Sequence, residues 1–465
     1  MRDPSRRALL RVTTLAGLPR LIGADRRRFP NLVFIIADQH SGLALGCAGH
    51  PVARTPRLDA LARQGVLFTH ACTAGITCGP SRASLDTGLH AQAHGVARNG
   101  IPLSKDATSI YTVLKESGYS APAEHTHSDR KEYLQWLTSL GYGEVTDPII
   151  GPKDKAKLIP MPYRFEVGRA GMSKAHSLDA FSLQSAIRFL EQPKSDSQAF
   201  GLWVQLHGSH DPYVVPAPYD TMYRPASLPM PPYKRGEYDS KPARQKRTWQ
   251  AQGADKLSDE QIKTILAHYF GMISQTDSLV GELLDKLSEF GLDQNTVVIY
   301  AGDHGDTMGY HRMFTKGFAL YEPAVRIPLI IRAPGDLPRG VRIDAAVSGV
   351  DVLPTVLDLL GLPPLKGLHG RSLVPLWDGR ERFGSEEVFA GQGDDKTDRI
   401  VMIRTPRWKL VRYAEGGQEL YNLETDPAEL DNLAAEPKYA DAARRLSRRL
   451  DDWDRACKNQ LENRS

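Results

Sequence analysis

Cysteine is scarce. Cys47, Cys72, Cys78 and Cys457 are the four thiols in 465 residues, too few for a disulfide scaffold. Cys47 and Cys72 could pair, and the sequence leaves that open. No apolar run reaches the eighteen or so residues that a membrane helix needs. Net charge is scarce too: a formal +4 is small for this length, and no basic cluster interleaves with aromatics, so nothing points to nucleic acid. An anionic substrate would have to be held by local cations rather than by a global field. Internal repeats and low-complexity tracts are absent, which excludes solenoids and tandem arrays. What remains, 41% hydrophobic and 25% charged residues, belongs to the globular class, with length for one large domain and a smaller one.

Ser5-Arg6-Arg7-Ala8-Leu9-Leu10 matches the pattern of a twin-arginine export signal, although Pro19 and Arg20 interrupt the apolar stretch behind it. Residues 1–28 are therefore read as an export signal or flexible N-terminus, and the protein as periplasmic or secreted.

Asn31-Leu32-Val33-Phe34-Ile35-Ile36-Ala37 reads as a strand buried on both faces. Thr55-Pro56-Arg57-Leu58 opens a helix, and Gly65-Val66-Leu67-Phe68 begins the next strand. Helical spacing returns at 110–117 and 178–190, and strands at 200–206, 297–301 and 327–331. Ser258, with Gln261, caps a long amphipathic helix to Phe290. Residues 214–257, rich in Pro, Tyr, Arg and Lys, read as an irregular excursion over the surface. After about 385 the texture changes to short strands and a basic helix from about Lys438 to Trp453. The expected fold is α/β: a doubly wound mixed, mostly parallel sheet flanked by helices over 29–384, with a small C-terminal antiparallel sheet plus helix over 385–465.

One stretch organises the chemistry: Ile76-Thr77-Cys78-Gly79-Pro80-Ser81-Arg82-Ala83-Ser84-Leu85. Pro80 suits the first helical position, which puts the Cys78 thiol at the positive mouth of a helix with Arg82 beside it. A nucleophile so placed favours reaction on an anion. Two apolar strands end in Asp38-Gln39 and in Asp303-His304, and their oxygen and imidazole donors suit a divalent cation. Such pairs can converge from opposite sides of one cleft at the carboxyl ends of an open sheet.

Cys-x-Pro-Ser-Arg followed by Thr87-Gly88 resembles the signature of type I, formylglycine-dependent sulfatases of the alkaline phosphatase superfamily. Thr55-Pro56-Arg57-Leu58-Asp59, Lys316-Gly317, the run Val325 to Ile331, and Glu419-Leu420-Tyr421-Asn422-Leu423 with Asp426-Pro427 resemble further family segments in the family's order. The resemblance implies that Cys78 is oxidised by a formylglycine-generating maturation enzyme and that the aldehyde hydrate is the nucleophile. It makes Asp38, Gln39, Asp303 and His304 the ligands of a metal, Ca²⁺ by choice, with Mn²⁺ or Mg²⁺ as alternatives. Arg82 and the metal would lower the nucleophile's pKa and stabilise the transferring group, Lys316 would contact a sulfate oxygen, and His210 would aid the leaving group. His127 would be the base that expels sulfate, with His125 in the place of the family's lysine as a substrate contact.

The function so implied is hydrolysis of a sulfuric ester on a sulfated carbohydrate. A phosphonate monoester or phosphodiester hydrolase of the same superfamily is the alternative favoured by Gln39 and His304. An unmatured protein that binds sulfated glycans is the third reading, suggested by the missing lysine and by Asp86, where the family prefers Leu.

Overall fold

The computed structural model describes residues 29–462 apart from 122–129, 144, 163–164, 193–197, 317–318, 383–385 and 394–397. The reading of His125 and His127 therefore lies outside the described residues, as does that of the export signal.

β1 (Asn31–Ala37) is buried along all seven residues. Its unbroken apolar run fits because both faces are covered. Leu32, Phe34 and Ile36 enter one core cluster, whereas Val33, Ile35 and Ala37 enter another. The first cluster is closed by the helices Ile110–Glu116 and Val352–Leu359, the second by Pro56–Arg63, Leu178–Glu191 and Asp259–Glu289. Each buried Phe or Ile contributes roughly 1.5–3 kcal/mol, so this strand is anchored far more firmly than any loop it carries.

The other strands of the sheet are β2 (Val66–Cys72), β3 (Gly201–Leu206), β4 (Thr296–Gly302), β5 (Leu329–Arg332) and β6 (Val341–Ser348), and their spatial order is β3-β1-β4-β5-β2-β6. Neighbours run parallel except at β5, which is antiparallel to both β4 and β2. This is the mixed, mostly parallel sheet expected. The edge strand β6 escaped the sequence reading because its first half alternates partly and fully exposed residues, with Arg342 and Asp344 among them.

Ser258 and Gln261 form the expected capping box on the helix Asp259–Glu289. The stretch 214–257 is more ordered than expected. Tyr213–Val215 joins Lys157–Ile159 and Val167–Arg169 in a three-stranded sheet, and Ala243–Ala251 is a helix. Prolines had hidden these short elements, whose order comes from packing Phe165, Tyr213 and Val215 against Tyr269 and Phe270 of the long helix.

The C-terminal sheet runs Val388–Gln392, Ile400–Arg404, Trp408–Tyr413, Gln418–Asn422, antiparallel throughout. The helix Ala440–Glu462 continues well past Trp453 and lays Leu446 and Leu450 against Ile403, Leu410 and Leu420. This unit is sewn to the larger one by buried charge. Glu322 takes both Nε and Nη2 of Arg404 at 2.9 and 3.0 Å, and Lys409 bridges Glu322 and Glu429 at 3.2 and 2.8 Å. All four cysteines are unpaired, so the Cys47–Cys72 option is not used. No described helix is long and apolar enough to cross a membrane.

Candidate active site

β1 and β4 are adjacent and in register, with Ala37 opposite Gly302, so Asp38 and Asp303 leave the sheet side by side. The expected approach from opposite sides of a cleft is corrected by this pairing. A third parallel tip is next to them: Leu206 of β3 lies opposite Ala37, and Gln205 points a side-chain oxygen at Arg82 Nη1 (3.1 Å). A lone Gln in an otherwise apolar strand was a readable signal that the sequence analysis passed over.

The helix over this site begins at Cys78 and ends at Thr87, closed by Gly88 in the left-handed conformation (φ 67°). It therefore starts two residues earlier than expected, and Pro80 occupies its third position, where a missing N–H costs nothing. Thr77 precedes it in extended conformation, but its hydroxyl does not cap the helix. It donates instead to Gln392 Oε1 (3.0 Å), which also accepts the Ile76 N–H (3.1 Å). Gln392 belongs to the C-terminal sheet, and nothing in the sequence tied it to residue 77.

Cys78 Sγ lies 3.5 Å from Asp38 Oδ1 and 3.4 Å from His304 Nε2. His304 Nε2 is 3.4 Å from Asp38 Oδ1 and 3.7 Å from Asp303 Oδ1. His304 Nδ1 lies 2.9 Å from the Gly305 carbonyl, so in the neutral ring it carries the proton and Nε2 is an open lone pair. Donor atoms of Asp38, Cys78, Asp303 and His304 all lie within 4.8 Å of one another. A cation with bonds of about 2.1–2.4 Å sets adjacent ligands roughly 3–3.4 Å apart, close to the spacing seen. The donor set fits a divalent ion.

Arg82 lies across both carboxylates: Nη2 to Asp38 Oδ2 at 2.8 Å and Nε to Asp303 Oδ2 at 3.0 Å. Burial alone would raise the Asp38 pKa, but Arg82, with His210, His304 and Lys316 behind it, holds that carboxyl well below the usual range. The unconverted thiol moves the other way from Asp38. Burial, then Asp303 and Asp38, push Cys78 up, and Lys316 and Arg82 only partly oppose them. Burial and two carboxylates outweigh the ammonium and the guanidinium.

Gln39 adopts a left-handed backbone (φ 59°), uncommon for a residue with a side chain, and its N–H donates to Asp303 Oδ1 at 3.1 Å. Its side-chain nitrogen donates to Asp306 Oδ2 (2.8 Å), which also accepts the Tyr213 hydroxyl (2.8 Å). That turns the Gln39 carbonyl oxygen toward Lys316 Nζ, 3.3 Å away. Asp306 thus positions Gln39, a role that sequence reading did not find. Lys316 Nζ also donates to His210 Nε2 (2.6 Å), and His210 Nδ1 donates to the Asp211 carbonyl (2.7 Å). The loop carrying His210 is held by Asp179, whose two carboxylate oxygens accept the His207 and Gly208 N–H groups at 2.6 and 3.1 Å. Gly208 has φ 63°, and a Cβ there would meet the Asp38 carbonyl at 2.8 Å, so only glycine lets this loop lie on β1. Cys78, Arg82, Asp38, Gln39, Asp303, His304, His210 and Lys316 are thus gathered in one place.

The model of the Sulfatase family matches residues 30–362, and that of the N-sulphoglucosamine sulphohydrolase C-terminal region matches 309–456. Arylsulfatase K of Bos taurus is 26% identical, over 90% of this chain and 81% of its own length. The ulvan-active sulfatase of Formosa agariphila is 27% identical over 92% and 81%. The crystal structure of a phosphonate monoester hydrolase of Agrobacterium radiobacter superposes with a TM-score of 0.79 at 27% identity, covering 92% of this chain and 95% of that one. A family match across well over half of its length, on this fold and around these residues, makes the chain a member of the sulfatase family of the alkaline phosphatase superfamily.

Proposed function

We propose that this enzyme hydrolyses a sulfuric ester on a sulfated carbohydrate, with Cys78, oxidised to formylglycine and hydrated, as the nucleophile. The observation that carries the reading is the arrangement of residue 78 against Asp38 Oδ1 and His304 Nε2, at 3.5 and 3.4 Å. Burial and the two carboxylates push the thiol's pKa up, which disfavours a thiolate nucleophile and favours one made from the same side chain. Asp38, Gln39, Asp303 and His304 would hold a divalent ion, Ca²⁺ or else Mn²⁺ or Mg²⁺, which when bound supplies Lewis-acid stabilisation of the transferring group. Arg82 orients both carboxylates and adds fixed positive charge beside the reacting centre. Lys316 contacts the anionic group, and its hydrogen bond to His210 Nε2 provides a proton path toward the departing oxygen. His127 as the base and His125 as a substrate contact remain part of the proposal. A formylglycine-generating enzyme is the partner that maturation requires, and export to the periplasm or medium is the location proposed.

The second reading, a phosphonate monoester or phosphodiester hydrolase, is favoured by Gln39 with His304 and by the likeness to the Agrobacterium radiobacter enzyme. Comparing the hydrolysis of 4-nitrophenyl sulfate with that of a 4-nitrophenyl phosphonate separates the two: faster sulfate turnover is expected, and faster phosphonate turnover would replace the first reading with the second. Intact mass tests maturation, since formylglycine is lighter than cysteine by the difference between CH₂SH and CHO. An unshifted mass with no turnover would leave a glycan-binding protein.

A further inference from the structure

Beside Thr77, His210 and Lys316 opens a cavity of about 440 Å³, within the size range of small-molecule sites. It shares Lys316 and His210 with the Cys78 cleft while Asp38 is not in its lining, which makes it the place for the alcohol part of an ester attacked at residue 78. Its lining includes the buried Phe165, which meets the Phe314 ring edge-on at 5.7 Å. Its rim is acidic. Val167 pairs with Tyr213 at the start of the small parallel ladder, and Glu166 and Pro212 lead into the two paired strands. Glu166 and Asp211 both line the cavity. Glu166 is exposed and has no ion-pair partner among the described residues. The other described polar side chains of the lining include the neutral hydroxyls of Thr77, Tyr213, Thr248 and Thr315 and the neutral amides of Asn99 and Gln252, and Lys316 is the one Lys or Arg among the described lining residues.

A pocket built for a second sulfate or a uronate needs a guanidinium or ammonium to replace the water that such a group gives up. Among the described lining residues Lys316 already faces the reacting group, and beside it stand two carboxylates: Asp211, whose Oδ1 lies 3.4 Å from His210 Nδ1 and 3.5 Å from Gln39 Nε2, and Glu166, which faces solvent. Resting on the ester-hydrolase reading of the Cys78 cleft, we propose that the released alcohol carries hydroxyls or an ammonium and no further anionic group. The substrate class is then a singly sulfated neutral or amino sugar, and Glu166 is the residue that rejects a second negative charge.

The test uses the matured full-length enzyme and aryl sulfates that differ only in one ring substituent: hydroxymethyl, aminomethyl or carboxylate. The expected result is a kcat/KM for the carboxylate at least tenfold below that for hydroxymethyl, with aminomethyl equal to or above hydroxymethyl. Glu166→Gln should narrow the hydroxymethyl-to-carboxylate ratio by roughly 3- to 10-fold, the size of one charge interaction across a wet pocket, while Glu166→Asp keeps it. A wild-type enzyme that prefers the carboxylate, or a ratio unmoved by Glu166→Gln, overturns the inference and leaves the sulfatase reading intact. If no aryl sulfate is turned over but aryl phosphonates are, the same ring series on the phosphonates decides it. Turnover of neither overturns both.

Discussion

Two buried knots of charge invite comparison. In each, cations bridge two carboxylates: Arg82 between Asp38 and Asp303, and Lys409, with Arg404, between Glu322 and Glu429. In the second knot, acidic oxygens alternate with the groups that bind them, and Glu429 Oε2 even accepts the Glu322 N–H at 2.6 Å. In the first, acceptor faces acceptor: His304 Nε2 looks at Asp38 Oδ1 and Asp303 Oδ1, and the weak Cys78 thiol is the donor beside them. Interleaved donors and acceptors make a lock that holds two units together. Converging lone pairs make a seat for a cation.

The sharpest way to break the comparison is at the nucleophile. Cys78→Ala should lower kcat by about 10⁴-fold or more in steady-state assays while leaving thermal unfolding nearly unchanged, and retained turnover would overturn its assignment. Asp303→Asn should abolish metal-dependent activity and metal-dependent stabilisation together. In the wild type, a divalent ion at a hundred times its Kd should add about 2.7 kcal/mol to unfolding free energy, and calorimetry with and without a chelator reads it. The lock should answer oppositely. Glu322→Gln leaves Arg404 without its carboxylate and Lys409 with Glu429 alone, and should cost about 3–5 kcal/mol in denaturant unfolding, with kcat per folded molecule within roughly threefold.

The smallest effect is a pH slope. Burial pushes Glu429 up to about 7, with Lys409 opposing and Glu322 adding to the rise. A carboxyl raised in the folded state binds its proton there more tightly than in the unfolded chain, so its contribution to stability falls as pH rises from about 4.5 to about 7. Glu429→Gln removes that fall. Relative to the wild type, the variant should gain up to about 3 kcal/mol between pH 4.5 and 8, and parallel melting curves at the two pH values check it. A flat difference would mean that Lys409 dominates.

Much of this architecture was legible. The run Asn31–Ala37 specifies a strand covered on both faces, and Ser258 with Gln261 marks the long helix to the residue. The nucleophile and both strand-tip pairs were readable because their chemistry lies in contiguous residues. Their side-by-side exit was not, since strand order is set by packing far along the chain. The contacts of Gln392, Asp306 and Asp179 were hidden for the same reason. Gln392 meets Thr77 across a separation of 315 residues, and no local pattern announces such a bond. Pro80 misled by one rule, because proline is tolerated anywhere in the first turn and not at one position alone.

The hydrogen bonds from Ile76 and Thr77 to Gln392 have a consequence for inheritance. A foreign C-terminal unit grafted onto this catalytic sheet would fit only if it brought an acceptor to the same spot, or the peptide leading into residue 78 would lose its tether. In this chain the seam therefore ties the catalytic loop to the C-terminal sheet, and the two units are built to be exchanged together rather than apart.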